Sequence, residues 1–393
     1  MNYDITANTR SLYIHWPFCP YRCHYCPFVA LASHDPFMER YHNALIKEIK
    51  TFGNHYIKKL PLDTIYFGGG TPSTYPDHLL TDMFQTLKEF FIFDENTEIT
   101  LEVNPGTVRP EQLPLWKRLG INRISIGVQS LNDAVLQKLN RLQKATDVYS
   151  LLDKAPHYFD NISVDIILGL PGVSIIEWKE LLAKIVTWNI THLSMYVLEV
   201  HDSTPLFFNV KTNKVTLPCD DDVVNTYYWS CEFLAQHGFN QYEVSSFARL
   251  KKQSSSNTLY WESRHNTTYW ERNPYRGFGL GACSFDGNSR LQNEKNLIKY
   301  LENIEQNKYE PAFTETITKN QIYTEKIMLG LRRIKGVCWQ EISADLNNEQ
   351  KEKIRLTIDI LRQKNLITEN NGYLQLTPAG LVVENEIITR LSL

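Results

Sequence analysis

Three cysteines lie close together between Tyr13 and Phe28, in the sequence YIHWPFCPYRCHYCPF. Cys19, Cys23 and Cys26 follow an apolar run with the spacing CxxxCxxC. Three thiolates from one loop can bind three irons of a [4Fe–4S] cube, which leaves the fourth iron without a protein ligand. The spacing therefore predicts a cluster with one open coordination position.

A structural zinc site is the alternative for these thiols, with His15 or His24 completing a tetrahedron. Structural zinc sites usually combine two separated ligand pairs, whereas these three cysteines share one short loop. Three free thiols are the remaining alternative. The other cysteines are scattered and do not resemble a disulfide framework: they are Cys219, Cys231, Cys283 and Cys338.

The composition is that of a globular chain with a nearly balanced charge. Its 393 residues are 42% hydrophobic, which predicts two or three domains with large cores. The formal net charge of −3 gives no general attraction to nucleic acid or to an anionic membrane. The start, MNYDITANTR, lacks the pattern of an export signal, and no segment reaches the ~18 apolar residues that span a bilayer. We expect a cytoplasmic protein with no transmembrane segment and no nucleic-acid partner.

Short β-branched runs alternate with longer amphipathic segments in the first half of the chain. Apolar strands that alternate with helices predict a parallel sheet covered on its outer face. Six such units predict an α/β fold, a partial (β/α)6 barrel of the TIM type. The predicted strands are residues 11–16, 63–68, 98–104, 122–129, 162–169 and 192–199.

Polar and glycine-rich segments follow the ends of these strands. The cysteine loop follows the first, GGGTP at 68–72 follows the second, and Glu102, Asn104 and Gln129 end the third and fourth. Functional groups of such barrels gather at the C-terminal ends of the strands. One rim is therefore predicted to hold the site. Because GGGTP lacks the GK[ST] of a phosphate loop, we expect its amides to be free to bind a ligand.

The pattern changes after about residue 219. A helix and the strand-like NQYEVSSFA precede an aromatic, glycine-rich stretch, and together they predict an extension of the sheet. The last region predicts three or four helices with a hairpin turned at Asn371-Gly372, a winged-helix-like module. Ten Lys and Arg against nine Asp and Glu in residues 321–393 make DNA binding the weaker interpretation of this module.

The segments YIHWPFCPYRCHYC, FGGGTPS, LEVNPGT and NRISIGVQS together resemble the radical S-adenosylmethionine superfamily, in its branch of oxygen-independent coproporphyrinogen oxidases. The resemblance runs from about residue 11 to 290. It implies that S-adenosylmethionine chelates the open iron and that an electron from the cluster cleaves the sulfonium to a 5′-deoxyadenosyl radical. It implies these S-adenosylmethionine contacts: Tyr13, Tyr25, Gly69, Gly70, Thr71, Glu102, Gln129, Arg141 and Asp165.

The segment around Arg141 departs from the family pattern. The family usually has Gly-Arg-x-His, whereas this chain has Asn140-Arg141-Leu142-Gln143. Asparagine can adopt the left-handed backbone conformation of the glycine. Gln143 then stands where the family has an imidazole.

Two kinds of member in this branch are similar to the chain, the porphyrinogen dehydrogenases and the haem chaperones of the HemW type. The dehydrogenases have CxxxCxxCxC, but Phe28 occupies the last position here, as in the chaperones. About ten residues precede the first strand, so we expect no N-terminal arm of the dehydrogenase kind. The segment RHNTTYW resembles the chaperones' HNxxYW element. It implies that His265 contacts haem, while Tyr269 and Trp270 supply apolar faces.

Two further features of this region have alternatives. A lone histidine beside an asparagine is also often a hydrogen-bonded structural residue, which is the alternative for His265. The segment YRGFGLGACSF resembles the family's YxGxGxGAH, with Cys283 at the histidine position. We interpret Cys283 as a small buried hydrophobe, with a substituted ligand as the alternative. A dinucleotide-binding fold is not predicted, because CSFDGN does not begin a helix.

The resemblance implies three domains: a radical S-adenosylmethionine core at 1–237, a sheet extension at 238–312 and a helical domain at 313–393. It implies a haem chaperone that binds haem, a [4Fe–4S] cluster and S-adenosylmethionine and passes haem to an acceptor protein. It also implies an electron donor for the cluster, with a homodimer as an open alternative. No catalytic residue is assigned. The alternative functions are a coproporphyrinogen III dehydrogenase and a zinc-stabilised interaction module.

Overall fold

The computed structural model describes residues 9–56, 60–251 and 259–393. Its strands are β1 (Ser11–Trp16), β2 (Phe18–Cys19), β3 (Leu31–Ala32), β4 (Thr64–Gly69), β5 (Glu98–Val103), β6 (Arg123–Gln129), β7 (Asn161–Leu168), β8 (His192–Val197), β9 (Phe239–Gln241), β10 (Ser246–Lys251), β11 (Leu259–Tyr260), β12 (Arg276–Phe278), β13 (Cys283–Phe285), β14 (Ser289–Gln292), β15 (Phe313–Thr316), β16 (Val337–Cys338), β17 (Ile367–Asn370) and β18 (Tyr373–Leu376).

The helices cover the outside of the sheet and form most of the C-terminal region. They are α1 (Met38–His55), α2 (Asp77–Phe90), α3 (Gln112–Leu119), α4 (Asp133–Lys138), α5 (Ala145–Lys154), α6 (Ile175–Ile185), α7 (Pro205–Lys211), α8 (Asp220–Gln236), α9 (Arg264–Trp270), α10 (Leu297–Glu305), α11 (Lys319–Leu331), α12 (Trp339–Ile342), α13 (Asn348–Gln363), α14 (Pro378–Val382) and α15 (Glu384–Leu391).

The central sheet contains all six predicted strands, side by side and parallel, in the order β1-β4-β5-β6-β7-β8. The predicted parallel α/β architecture with six strands is confirmed. The largest difference in bounds is at β8, predicted to residue 199 and observed to Val197. Alternating apolar side chains explain why these strands were recognisable, because one face of each strand is buried in the apolar core while the other carries polar groups toward a cavity. Ile124, Ile126 and Val128 of β6, for example, are fully buried.

The predicted extension of the sheet forms at both edges. β10 pairs antiparallel with β8, and β12 pairs parallel with β1. The prediction was wrong for the segment beyond β12, because β13, β14 and β15 form a separate three-stranded sheet. Glycines permit this departure. Gly279 has φ +100°, and a Cβ there would lie 2.4 Å from the hydroxyl of Tyr41.

The C-terminal region packs around its own apolar core, which includes Ile327, Leu331 and Ile358. In the part of the chain that the structure describes, five helices surround a sheet in the order β16-β18-β17, one more helix than predicted. The hairpin turns where it was predicted, with Asn371 at φ 52° and Gly372 at φ 79°, as a type I′ turn requires. The predicted domain bounds stay predictions. Across the described ranges, no helix has both the length and the apolarity needed to cross a bilayer.

Candidate functional site

The cysteine loop after β1 is fastened to two other segments of the rim by hydrogen bonds. His24 N donates to Leu139 O at 2.9 Å, and Leu206 N donates to His24 O at 3.0 Å. Asn140 Nδ2 donates to Arg22 O at 2.8 Å. These contacts fix the backbone that carries the cysteines, so the position of the thiols is set by the barrel and not by the loop alone.

The three predicted cluster cysteines line one cavity of about 450 Å³ at the C-terminal rim of the sheet. Cys19 Sγ lies 3.1 Å from Thr71 Oγ1, and Arg141 Nη1 donates to Cys23 Sγ at 3.7 Å. Burial raises the pKa of Cys19 to about 11 and also raises the pKa of Cys26. Thiolates at these positions need a positive partner, and a bound metal centre supplies one.

The histidines nominated for the zinc alternative are already engaged. His15 shares a hydrogen bond of 2.9 Å with Tyr13 Oη through Nδ1 and one of 2.9 Å with Val29 O through Nε2. His24 Nδ1 contacts Lys138 O at 3.2 Å. A zinc tetrahedron completed by His15 would require one ring nitrogen to leave its hydrogen-bond partner.

The glycine loop after β4 must be glycine because it passes close to the first strand. Gly69 has φ +119°, and a Cβ there would lie 2.6 Å from the ring of His15. A Cβ on Gly70 would lie 2.4 Å from Pro17 O. The prediction that these amides are free was wrong. Gly69 N donates to Glu102 Oε2 at 3.2 Å, and the amides of Gly70 and Thr71 donate to Trp16 O and Phe18 O. Carbonyl oxygens are therefore the backbone groups that this loop can offer a ligand.

Two carboxylates, Glu102 on β5 and Asp165 on β7, line the same cavity. Tyr66 Oη donates to Glu102 Oε1 at 2.8 Å, and Ser125 Oγ donates to Asp165 Oδ2 at 2.9 Å. Burial raises the pKa of Glu102 to about 7, and it also raises the pKa of Asp165. A cationic or hydroxyl-rich ligand would stabilise both charges, because it replaces the water that burial removed.

Arg123 is a functional candidate that the sequence analysis missed. It lies on β6, lines the cavity and is 1% exposed. Its Nη2 contacts His192 Nδ1 at 3.5 Å, and its charge favours the ionised forms of Glu102 and Asp165. The available signal was a charged residue within an otherwise apolar strand, where burial without a partner is costly.

The segment that departs from the family pattern keeps its geometry. Asn140 has φ +56°, the left-handed conformation expected of it. Arg141 is buried, with Nε donating to Gln143 Oε1 at 2.9 Å and Nη2 donating to Gly127 O. Gln143 in turn donates to Val128 O at 2.7 Å. The amide that replaces the family's imidazole therefore orients the guanidinium beside Cys23.

Most of the predicted S-adenosylmethionine contacts meet in the cysteine-lined cavity. Tyr13 does not, because its hydroxyl is bonded to His15 and it lines a second cavity instead. Gln129 reaches the rim at a bulge of β6, where its φ is 62°. The contacts brought together are Tyr25, Gly69, Gly70, Thr71, Glu102, Gln129, Arg141 and Asp165.

The second cavity has a volume of about 490 Å³ and adjoins the first. Phe28, Gly69 and Glu102 line both cavities. Its far wall is built from β13, β14 and α11, the last of which belongs to the C-terminal core. Two neighbouring cavities at one rim can hold a cofactor and a second ligand side by side.

His265, the predicted haem contact, lies in the interior at the start of α9 and is 1% exposed. Its Nδ1 shares a hydrogen bond of 2.7 Å with Thr64 Oγ1, and its Nε2 shares one of 2.8 Å with Tyr269 Oη. Its ring also stacks on Tyr66, with centroids 4.8 Å apart. The structure does not bring His265 to the wall of either cavity, and ligation of iron would require the ring to leave a partner.

The residues present fit a [4Fe–4S] cluster with bound S-adenosylmethionine. Three thiols of one loop form the donor set, and the cavity beside them has the volume of a cofactor site. A Cβ on Gly69 or Gly70 would clash with the first strand, so the loop can adopt this close approach only with glycine.

Comparisons with known proteins agree with this fold. The family model described as "Radical SAM superfamily" matches residues 13–185, and the model described as "HemN C-terminal domain" matches residues 317–383. The curated protein "Heme chaperone HemW" of Bacillus subtilis is 29% identical over 381 residues, covering 96% of this chain and 98% of that protein. The protein of the same name from Synechocystis is 32% identical over 367 residues, covering 91% of this chain and 86% of that protein.

The fold also matches a solved structure described as coproporphyrinogen III oxidase (HemN) from Escherichia coli. The TM-score is 0.84 at 21% identity, over 99% of this chain and 92% of the other. A parallel barrel with three thiols at its rim defines the class of radical S-adenosylmethionine proteins. Within that class, the chain belongs to the HemW family.

Proposed function

We propose that this protein is a haem chaperone that binds haem and transfers it to an acceptor protein. The observation that carries the proposal is the pairing of the two cavities, one with the features of a cofactor site and the other next to it with room for a second ligand. The full-length likeness to proteins named haem chaperones supports it. Phe28, which belongs to both cavity walls, is one of the two residues, with His265, that favoured this function in the sequence.

In this proposal, Cys19, Cys23 and Cys26 hold the [4Fe–4S] cluster. When bound, the cluster supplies an electron that can cleave the sulfonium of S-adenosylmethionine. Arg141 lies beside Cys23, where its charge balances thiolate. Glu102 and Asp165 accept polar groups of S-adenosylmethionine, and Ser125 and Tyr66 hold these carboxylates in place.

The charge arrangement suits a cationic cofactor. S-adenosylmethionine carries a sulfonium and an ammonium group, and two buried carboxylates face the cavity where it would lie. Arg123 and Arg141 line the same cavity and can balance its carboxylate. The cavity therefore offers charged partners to both the positive and the negative groups of the molecule.

The partners are part of the proposal. We assign an electron donor for the cluster and a haem acceptor protein. A homodimer and a cytoplasmic location are retained from the sequence analysis. The predicted haem contact of His265 also stays a prediction.

Haem titration of the anaerobically reconstituted protein, with and without S-adenosylmethionine, tests the proposal. We expect one haem per chain, bound firmly enough to survive gel filtration and released when apomyoglobin is added as a probe acceptor. The visible spectrum follows both steps. Conversion of coproporphyrinogen III to protoporphyrinogen IX by the same preparation would contradict the proposal and establish the dehydrogenase alternative.

A further inference from the structure

We propose that the second cavity is the haem site of this chain, with the haem carboxylates held by Arg272 and Arg290. This inference rests on the proposed function, because it names the place where the cargo binds. Both arginines line the cavity, together with the aromatic side chains of Tyr269, Tyr275 and Phe285. A flat ligand with an apolar body and anionic edge groups matches such a lining.

The apolar part of the cavity is aromatic. Tyr269 and Tyr275 meet edge to face with ring centroids 4.6 Å apart, and Tyr275 and Phe285 follow at 6.4 Å. Phe28 closes the side next to the cysteines and is 66% exposed, an unusual state for a large apolar side chain. Aromatic faces of this kind pack well against a planar conjugated ring.

The cationic part of the cavity consists of the Arg272 and Arg290 guanidinium groups, which have more N–H donors than the protein uses. Arg272 donates through Nε to Glu325 Oε2 at 2.7 Å and through Nη1 to Gly287 O at 3.0 Å. Its buried Nη2 has no partner in the described structure. Arg290 donates through Nη2 to Glu325 Oε1 at 2.7 Å and through Nη1 to Glu315 Oε2 at 3.5 Å, and its side chain is 37% exposed. A buried guanidinium N–H has no water to bond to, so a carboxylate that accepts its hydrogen bond stabilises it.

The backbone at Arg272 gives a second indication. Arg272 follows the end of α9 with φ 56°, the left-handed conformation that usually selects glycine or asparagine after a helix. A side chain other than these is unfavourable there. The chain places an arginine at a position where glycine would be easier, and its guanidinium lies against the ring of Phe285 at 4.6 Å. This contact and the ion pair with Glu325 hold the guanidinium at the cavity.

The same placement explains how the HNxxYW element could contribute without ligating iron. His265 is one helical turn from Tyr269 and shares a hydrogen bond with its hydroxyl. Tyr269 lines the cavity, and His265 does not. Through this hydrogen bond His265 holds Tyr269 in the wall of the cavity.

Haem titrations of matched variants test the inference. Arg272→Gln and Arg290→Gln should each weaken haem binding by ~10-fold, because each loses a charge-assisted hydrogen bond. Glu325→Gln should tighten it, because both arginines lose their anionic competitor. Arg333→Gln is the control, since it removes an ion pair of 2.8 Å to Glu271 outside both cavity walls. Thermal unfolding of each variant shows whether it is folded.

Haem dimethyl ester is the second probe, because it keeps the ring and iron but lacks the carboxylates. We expect the wild-type protein to bind the ester ~10-fold or more weakly than haem and the Arg272→Gln variant to distinguish them less. If the two arginine variants and Glu325→Gln bind haem as Arg333→Gln does, the cavity assignment is overturned while the chaperone function stands. If the wild-type protein binds no haem, both fail.

Discussion

Arg141 and Gln143 share a hydrogen bond of 2.9 Å, from the guanidinium Nε to the amide Oε1. Gln143 is 3% exposed and is held in turn by its bond to Val128 O. The side-chain amide has one acceptor and one donor group, and the structure uses both. A neutral imidazole also has one of each, so the chain and its family can build the same support from different residues.

Gln143→Ala should therefore weaken S-adenosylmethionine binding without removing the cluster. Loss of one buried hydrogen bond to a charged group costs ~1.5–3 kcal/mol, which corresponds to ~10–100-fold in affinity if the guanidinium moves. Calorimetric titration of the reconstituted protein measures it. Gln143→His should restore most of the affinity, and the exposed Gln137→Ala should have no effect. An unchanged affinity in Gln143→Ala would show that Arg141 is positioned by its other contacts.

The raised pKa of Glu102 predicts how the stability of the apoprotein varies with pH. The carboxyl has an ordinary pKa of 4.5 and a pKa of about 7 in the folded chain, because of burial. Between these values the folded state binds more protons than the unfolded state, so this group's contribution to stability falls as the pH rises. The charges of Asp165 and Glu102 interact, so the two carboxyl groups titrate as a pair.

Glu102→Gln should remove this component. We expect the unfolding free energy of the variant, measured in urea, to fall less between pH 5 and pH 8 than that of the wild type. The exposed Glu111→Gln is the control and should follow the wild type. The variant should also lose S-adenosylmethionine affinity. A pH profile that coincides with the wild type would mean that Glu102 is ionised throughout this range.

His265 should be important for stability whether or not it contacts haem. Its two ring nitrogens bond to Thr64 and Tyr269, and burial lowers its pKa to about 3. His265→Ala leaves two buried hydroxyl groups without a partner and opens a cavity, which costs ~2–4 kcal/mol. Urea unfolding measures the loss, and a cost below ~1 kcal/mol would contradict the described burial.

The lowered pKa of His265 also predicts a pH dependence of stability that is opposite in sign to that of Glu102. Between about 3 and 6.5 the unfolded state binds the proton and folded His265 does not, so its contribution to stability is lost as the pH falls through this range. His15 adds to the same trend, since burial lowers its pKa to about 4. Wild-type protein should therefore lose stability below pH 6.5 more steeply than the His265→Ala variant.

Cys283 offers a sulfur atom on the wall of the second cavity, where Gln292 Nε2 contacts it at 3.3 Å. If haem lies there with its iron near this wall, Cys283→Ser should shift the Soret band of the haem complex, because thiolate and hydroxyl ligands differ in donor strength. Cys231→Ser, which removes a thiol outside both cavity walls, is the control. Spectra that coincide for the wild type and Cys283→Ser would place the iron away from this sulfur.

The barrel and most of the cofactor site could be predicted because their signals are local. Each strand is a short apolar run, and a parallel sheet brings the ends of such runs to one rim, so Glu102 and Gln129 meet there. The second cavity could not be predicted. It depends on the packing of Glu325 against Arg272, 53 positions apart, and on a turn at Gly279 that leads the chain out of the main sheet.

The prediction of free amides in the glycine loop came from the GGGTP motif, and it was wrong for a related reason. Glycine at Gly69 and Gly70 is explained by close approach to His15 and Pro17, and only the folded chain shows that their amides bond to Glu102 and Trp16. Arg123 was missed although a charged residue within a strand is a signal, because the sequence does not show which buried side chains it contacts. Residues on neighbouring strands supply those partners.

Electron paramagnetic resonance of the anaerobically reconstituted, dithionite-reduced protein, with and without S-adenosylmethionine, tests most directly whether the thiols hold a cluster whose open iron faces the cofactor cavity. We expect about four irons and four sulfides per chain, a signal that changes when S-adenosylmethionine is added, and loss of the signal when Cys19, Cys23 and Cys26 are all replaced by serine. Zinc in place of iron, or a cluster signal that S-adenosylmethionine leaves unchanged, would contradict the account.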